Sequence, residues 1–131
     1  MSRLNTILLM LNFCFASAAA EEKTGISFDS LTINIGTIYK DEPVKSFTID
    51  FRNISKQNMV IDTVEVSCEC TLVSYKKKKY KKGERGTLDV TLDMSPYSSG
   101  LFEKDIYVYT DSRKEPVELI ITGWLKPKEE K

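Results

Sequence analysis

The chain contains no histidine among its 131 residues. That absence removes every Ser-His-Asp or Cys-His catalytic arrangement and all imidazole metal sites. There is no Gly-rich phosphate loop, and the carboxylates are scattered over different turns, so the sequence reads as a non-enzyme. Neither sign of charge is in excess, with 19 Lys+Arg against 19 Asp+Glu. Global charge therefore gives no reason to expect nucleic acid as a partner. Beyond residue 20 no stretch shows helical periodicity. The one mainly apolar run, Ile7 to Ala16, is short for a membrane span, which takes roughly 20 residues. Cysteine is scarce too, at positions 14, 68 and 70 only.

What is present begins with that apolar run. Arg3 precedes it and Ala16-Ser17-Ala18-Ala19-Ala20 follows, the layout of a secretory signal peptide over residues 1–20, cut after Ala18 or Ala20. Cys14 follows Phe13, a side chain too bulky for the cleavage that lipidation needs. Losing Arg3 leaves 18 basic against 19 acidic residues, a formal charge of −1. The expected product is exported, periplasmic or at the cell surface, with no transmembrane segment after signal removal. Its two remaining cysteines meet an environment that permits oxidation.

Alternation dominates the rest. In Val44 to Asn53, Phe47, Ile49 and Phe51 face one way and Ser46, Thr48, Asp50 and Arg52 the other. Met59 to Ser67 sets Val60, Val64 and Val66 against Ile61, Thr63 and Glu65, with Asp62 breaking the parity as a bulge or an edge position would. Leu88, Val90 and Leu92 point inward from the next strand, and Phe102, Ile106 and Val108 from the one after. Gly36 and Lys40 to Pro43 carry turn chemistry. About seven strands parted by turn signals predict an all-β fold, an immunoglobulin-like antiparallel β-sandwich over residues 21–125, with a charged tail over 126–131. A partly closed barrel is the rival.

This order of features resembles a family of exported bacterial domains of unknown function with a Ser-Cys-Gly-Cys-Thr signature, similar to the Hydin-like and ASH-type immunoglobulin folds. The matching residues are Gly36-Thr37-Ile38, Val44, Phe47, Phe51, Asn53, Val64 and Ser67-Cys68-Glu69-Cys70-Thr71. They continue with Gly83-Glu84-Arg85-Gly86, Gly100, Phe102, Lys104, Ile106, Val108 and Thr110, and end at Leu119, Ile121 and Gly123. Glu69 stands where the family has glycine, and Lys82 where it has proline. The resemblance implies the fold and an exported location, and no activity.

Three groups of residues are candidate sites. On an extended strand Cys68 and Cys70 point to one side with their Cα atoms about 6.6 Å apart, near the upper limit for a disulfide. Such a bond would be strained and easily reduced, suiting redox exchange. Closing so small a loop returns only about 1.6 kcal/mol. Alternatively, two thiolates suffice for a linear Cu(I) site, which makes Cys68 and Cys70 the metal candidate, with Met59 and Met94 the remaining thioethers. Pairing with a partner's cysteine and plain packing as buried thiols stay open.

The second group is the cationic loop of Lys76, Lys77, Lys78, Lys79, Lys81, Lys82 and Arg85, a candidate surface for anions or a solvated hairpin that discourages edge pairing. Tyr75 and Tyr80 interleave there and could stack on sugars or bases. The third is Tyr107, Tyr109, Ile120 and Trp124, which share an outer face if the last two strands pair. The leading expectation is a non-enzymatic binding or scaffolding module of the bacterial cell envelope, with a protein or envelope component as partner and no cofactor. The alternative is a thiol-based protein handling copper or disulfides.

Overall fold

The computed structural model describes residues 25–128, so the signal-peptide expectation and the end of the charged tail lie outside the described residues. Eight strands run in order: β1 (Ile26–Phe28), β2 (Thr32–Tyr39), β3 (Val44–Asn53), β4 (Ile61–Val66), β5 (Thr71–Ser74), β6 (Arg85–Asp93), β7 (Gly100–Thr110) and β8 (Val117–Lys126). They form two four-stranded sheets, β1-β3-β6-β5 and β2-β8-β7-β4. Every pairing is antiparallel except β2 with β8. This is the immunoglobulin-like sandwich that the alternation predicts. Among the described residues no helix is long and apolar enough to cross a membrane.

Period-two patterning explains the layers. Ile49 pairs with Leu88 and Phe47 with Val90 across β3 and β6, sending their side chains to the same face. From the facing sheet, Ile106, Val108, Leu119, Ile121 and Leu125 complete the core without measurable exposure. Each such side chain contributes roughly 1.5–3 kcal/mol over leaving it in water. Strand β8 is flanked on both sides, by β2 and β7, and runs through Lys126.

Three local expectations change. The bulge at Asp62 is present, because the register with β7 slips between Ile61 and Thr63. Its consequence is that Ile61, not Val60, joins the buried set with Val64 and Val66. Gly36 does not end a strand. It sits inside β2 at φ 79°, where the ladder to β8 slips between Asn34 and Thr37. The Asn34 side-chain oxygen accepts the Gly36 N–H at 2.9 Å, so the glycine serves as the hinge of a bulge. The third is the count: Ile26–Phe28 and Thr32–Tyr39 are strands of different sheets, giving eight rather than about seven.

Candidate functional site

The outer face of the β2-β8-β7-β4 sheet gathers the third group. Even positions of β8 and odd positions of β7 point away from the core, so Ile120, Trp124, Tyr107 and Tyr109 do share that face. Leu101 stands opposite Trp124 in the ladder. The two are 82% and 48% exposed. Thr37 flanks Trp124 on β2, and the Lys126 ammonium lies 4.4 Å from the centre of the Trp124 ring. Further along, Tyr107 and Tyr109 pair with Glu65 and Thr63, and the Tyr109 hydroxyl donates to Glu65 at 3.3 Å. Desolvation and the neighbouring carboxylates push both phenols above their ordinary value, keeping them as neutral donors. The face thus has two parts about 13 Å apart along β8, with the Glu103–Thr122 pair between them.

Cys68 and Cys70 occupy a different setting from the extended strand expected. They lie in the turn where the chain leaves β4 and crosses to β5 in the other sheet. The Cys68 carbonyl accepts the Thr71 N–H at 3.1 Å, drawing the two Cα atoms to 5.1 Å, and the sulfurs are bonded to each other. The turn supplies the pucker that a straight strand lacks, with Glu69 exposed at its outside. Cys70 is buried, its carbonyl accepting the Asp93 N–H at 2.9 Å. Cys68 is half-buried, and its sulfur accepts the Tyr97 hydroxyl at 2.9 Å and the Cys70 N–H at 3.2 Å. Met59 and Met94 sit fully in the core. Among the described residues no group of three or more His, Cys, Asp or Glu is placed to hold a metal ion.

The lysine loop spans residues 75–84 between β5 and β6. Lys76, Lys77, Lys79, Lys81 and Lys82 are exposed, while Lys78 pairs with Glu84. Arg85 opens β6 opposite Arg52 instead of closing the loop. Tyr80 is not a stacking platform. It is buried, exchanges backbone hydrogen bonds with Met59 at 2.8 and 2.9 Å, and donates its hydroxyl to Lys76. Beneath the loop, a hollow of about 280 Å3 mixes Lys76, Lys78 and Arg85 with Glu84 and Asp89, so it offers no pure anion site.

Glu84 is held below its ordinary 4.5 by its hydrogen bond from Lys78 and then by the Lys81 N–H. A depressed folded-state value means its contribution is present above that ordinary value and lost as pH falls through the folded one. Glu84→Gln is therefore expected to give a shallower acid-side decline of the urea midpoint between about pH 5 and 3 than the parent protein. An identical decline would exclude this role.

A family model described as "Protein of unknown function (DUF1573)" matches residues 26–125. The chain belongs to that family. Its DUF1573 domain is similar in structure to a protein of unknown function from Porphyromonas gingivalis W83, with TM-score 0.67 and 16% identity over 78% of this chain and 47% of that one. It is also similar to the ASH/PapD-like domain 7 of human CEP192, with TM-score 0.63 and 8% identity over 92% and 99% of the two chains. A third likeness is the CsuC–CsuE chaperone–adhesion subunit pre-assembly complex of Acinetobacter baumannii, at TM-score 0.50 and 14% identity over 79% and 57%. The DUF1573 chain spans about half the length of the Porphyromonas chain. No curated protein sequence matches it significantly. These likenesses establish a shared sandwich.

Two site residues escaped the sequence reading. Leu101 has the parity of Tyr107 and Tyr109, so counting back along β7 would have found it. Tyr97 meets Cys68 from 29 positions away in the β6–β7 loop, and nothing local marks it.

Proposed function

We propose that this DUF1573 domain is an exported binding module that holds a protein partner of the cell envelope against the outer face of its β2-β8-β7-β4 sheet. The observation that carries the reading is Leu101 beside Trp124, two large apolar side chains exposed in register on a central pair of strands. A soluble domain seldom leaves such a pair uncovered without use, and Trp and Tyr are the side chains that most often anchor a protein interface. The hydroxyls of Tyr107 and Tyr109 add polar contacts at the rim. Export is supported by the pattern of residues 1–20, and an assembly role by the ASH/PapD-like and pilus-chaperone likenesses.

A photo-cross-linking residue at position 101 in the intact cell envelope is expected to capture one defined protein. Trp124→Ala should reduce that capture about tenfold or more, the effect of truncating an anchor. The control is a cross-linker at Thr48, exposed on β3 in the other sheet. The reading fails if position 48 captures the same species, or if Trp124→Ala leaves the yield unchanged.

A further inference from the structure

The cysteine turn has a chemistry that partner binding does not use. The bridge spans a single residue, so its chain-entropy return is small and it makes a poor staple. Its two sulfurs are unequal: Cys70 is buried and Cys68 is half open. Two donors, the Tyr97 hydroxyl and the Cys70 N–H, converge on the more open sulfur. The Lys104 ammonium lies 4.5 Å from the centre of the Tyr97 ring, and the Lys40 ammonium donates to the Tyr97 carbonyl at 2.8 Å. Hydrogen-bond donors and nearby cations stabilise a thiolate over a thiol. The other charged groups at the turn are Glu69 within it, Asp93, whose carboxylate accepts the Ser95 N–H, and Asp105 beside Ser67.

We propose that the Cys68–Cys70 bridge is a thiol–disulfide exchange site that oxidises a dithiol on an exported protein, with Cys68 the sulfur attacked and Tyr97 its positioning residue. A client thiolate attacks the Cys68 sulfur. A client–Cys68 disulfide forms, the Cys68–Cys70 bond breaks, and the electron pair goes to the Cys70 sulfur, which takes up a proton. The client's second thiolate then attacks the client sulfur of that mixed disulfide. The client disulfide closes, and Cys68 leaves with the electron pair into the two waiting donors. Two electrons pass from the client dithiol to the cysteine pair. Stabilising the reduced form in this way makes the bridge the stronger oxidant. The proposal is independent of the binding face.

The test mixes the oxidised protein with an equimolar reduced peptide carrying two cysteines. The expected result is peptide disulfide forming as Cys68 and Cys70 become open to alkylation, with an unchanged β-type circular dichroism spectrum. In the reduced Cys70→Ser protein, Tyr97→Phe should move the alkylation profile of Cys68 to higher pH and cut its rate at neutral pH threefold or more. Lys104→Met should move the profile the same way by less, and serves if Tyr97→Phe does not fold. A bridge that survives the peptide dithiol in the folded protein would overturn the proposal. So would profiles that neither variant moves, or a reduced pair that takes up Cu(I) one-to-one while the bridge never oxidises the peptide.

Discussion

Asn53→Asp is expected to lower the melting temperature by about 10–20 °C at pH 7, the consequence of about 3 kcal/mol in a domain of this size. Asn53 closes β3 with no exposed surface. Its amide nitrogen donates to the Gln57 and Tyr80 carbonyls at 2.9 and 2.8 Å. Its amide oxygen accepts the Ser55 N–H and hydroxyl at 2.8 and 2.7 Å. The backbone of the same residue bonds Glu84 and Gly83. One side chain thus ties the end of a strand to the turn after it and to the base of the lysine loop. Aspartate keeps the shape but turns a negative oxygen on two carbonyls and donates nothing. Burying that charge unpaired is the costly step. A buried acid has a raised folded-state value, so the loss should shrink as pH falls and the carboxyl is protonated. Thermal melts at pH 7 and pH 4 check both points, and a shift under about 3 °C at pH 7 would refute the account.

Gly86→Ala is expected to cost about 2–3 kcal/mol although it adds a single methyl group. A Cβ there would lie 2.4 Å from Phe51 Cζ and 2.8 Å from Tyr80 Cε1. Those rings cannot step aside. Phe51 and Tyr80 are both buried and pack edge to face at 5.0 Å between centroids. Urea unfolding reads the cost directly as a lower midpoint. Combining Gly86→Ala with Phe51→Leu should lose less than the sum of the two single changes, because the smaller side chain frees the space. Strict additivity would place the damage elsewhere.

Much of the architecture was legible because a strand's two faces are written in alternate residues. Phe47, Ile49 and Phe51 against Leu88, Val90 and Leu92 define one layer, and Ile106 and Val108 the other. Asp62 announced its bulge by interrupting the alternation, although which neighbour then turned inward depended on the ladder with β7. Contacts between distant residues were not legible. Tyr80 looks like a surface aromatic among lysines, and its burial comes from a backbone bridge to Met59. Cys68 and Cys70 read as the end of a strand because Val64 and Val66 precede them. The crossing between sheets bends the chain there, and that crossing belongs to the tertiary fold. Asn53 reads only as the last residue of an alternating strand, and its role depends on three separate segments meeting.

The parallel pairing of β2 with β8 has a mechanical consequence. These are the second and the last strands of the domain, and their matched positions run from Thr32–Ile120 to Tyr39–Lys126. Tension applied at the two ends of the chain, once the three-residue β1 has peeled off, drags these neighbours past each other lengthwise. The cross-links of that ladder then resist together instead of parting one after another as in a zip. A domain wired in this way can sit in series between two anchored structures and carry a pulling load.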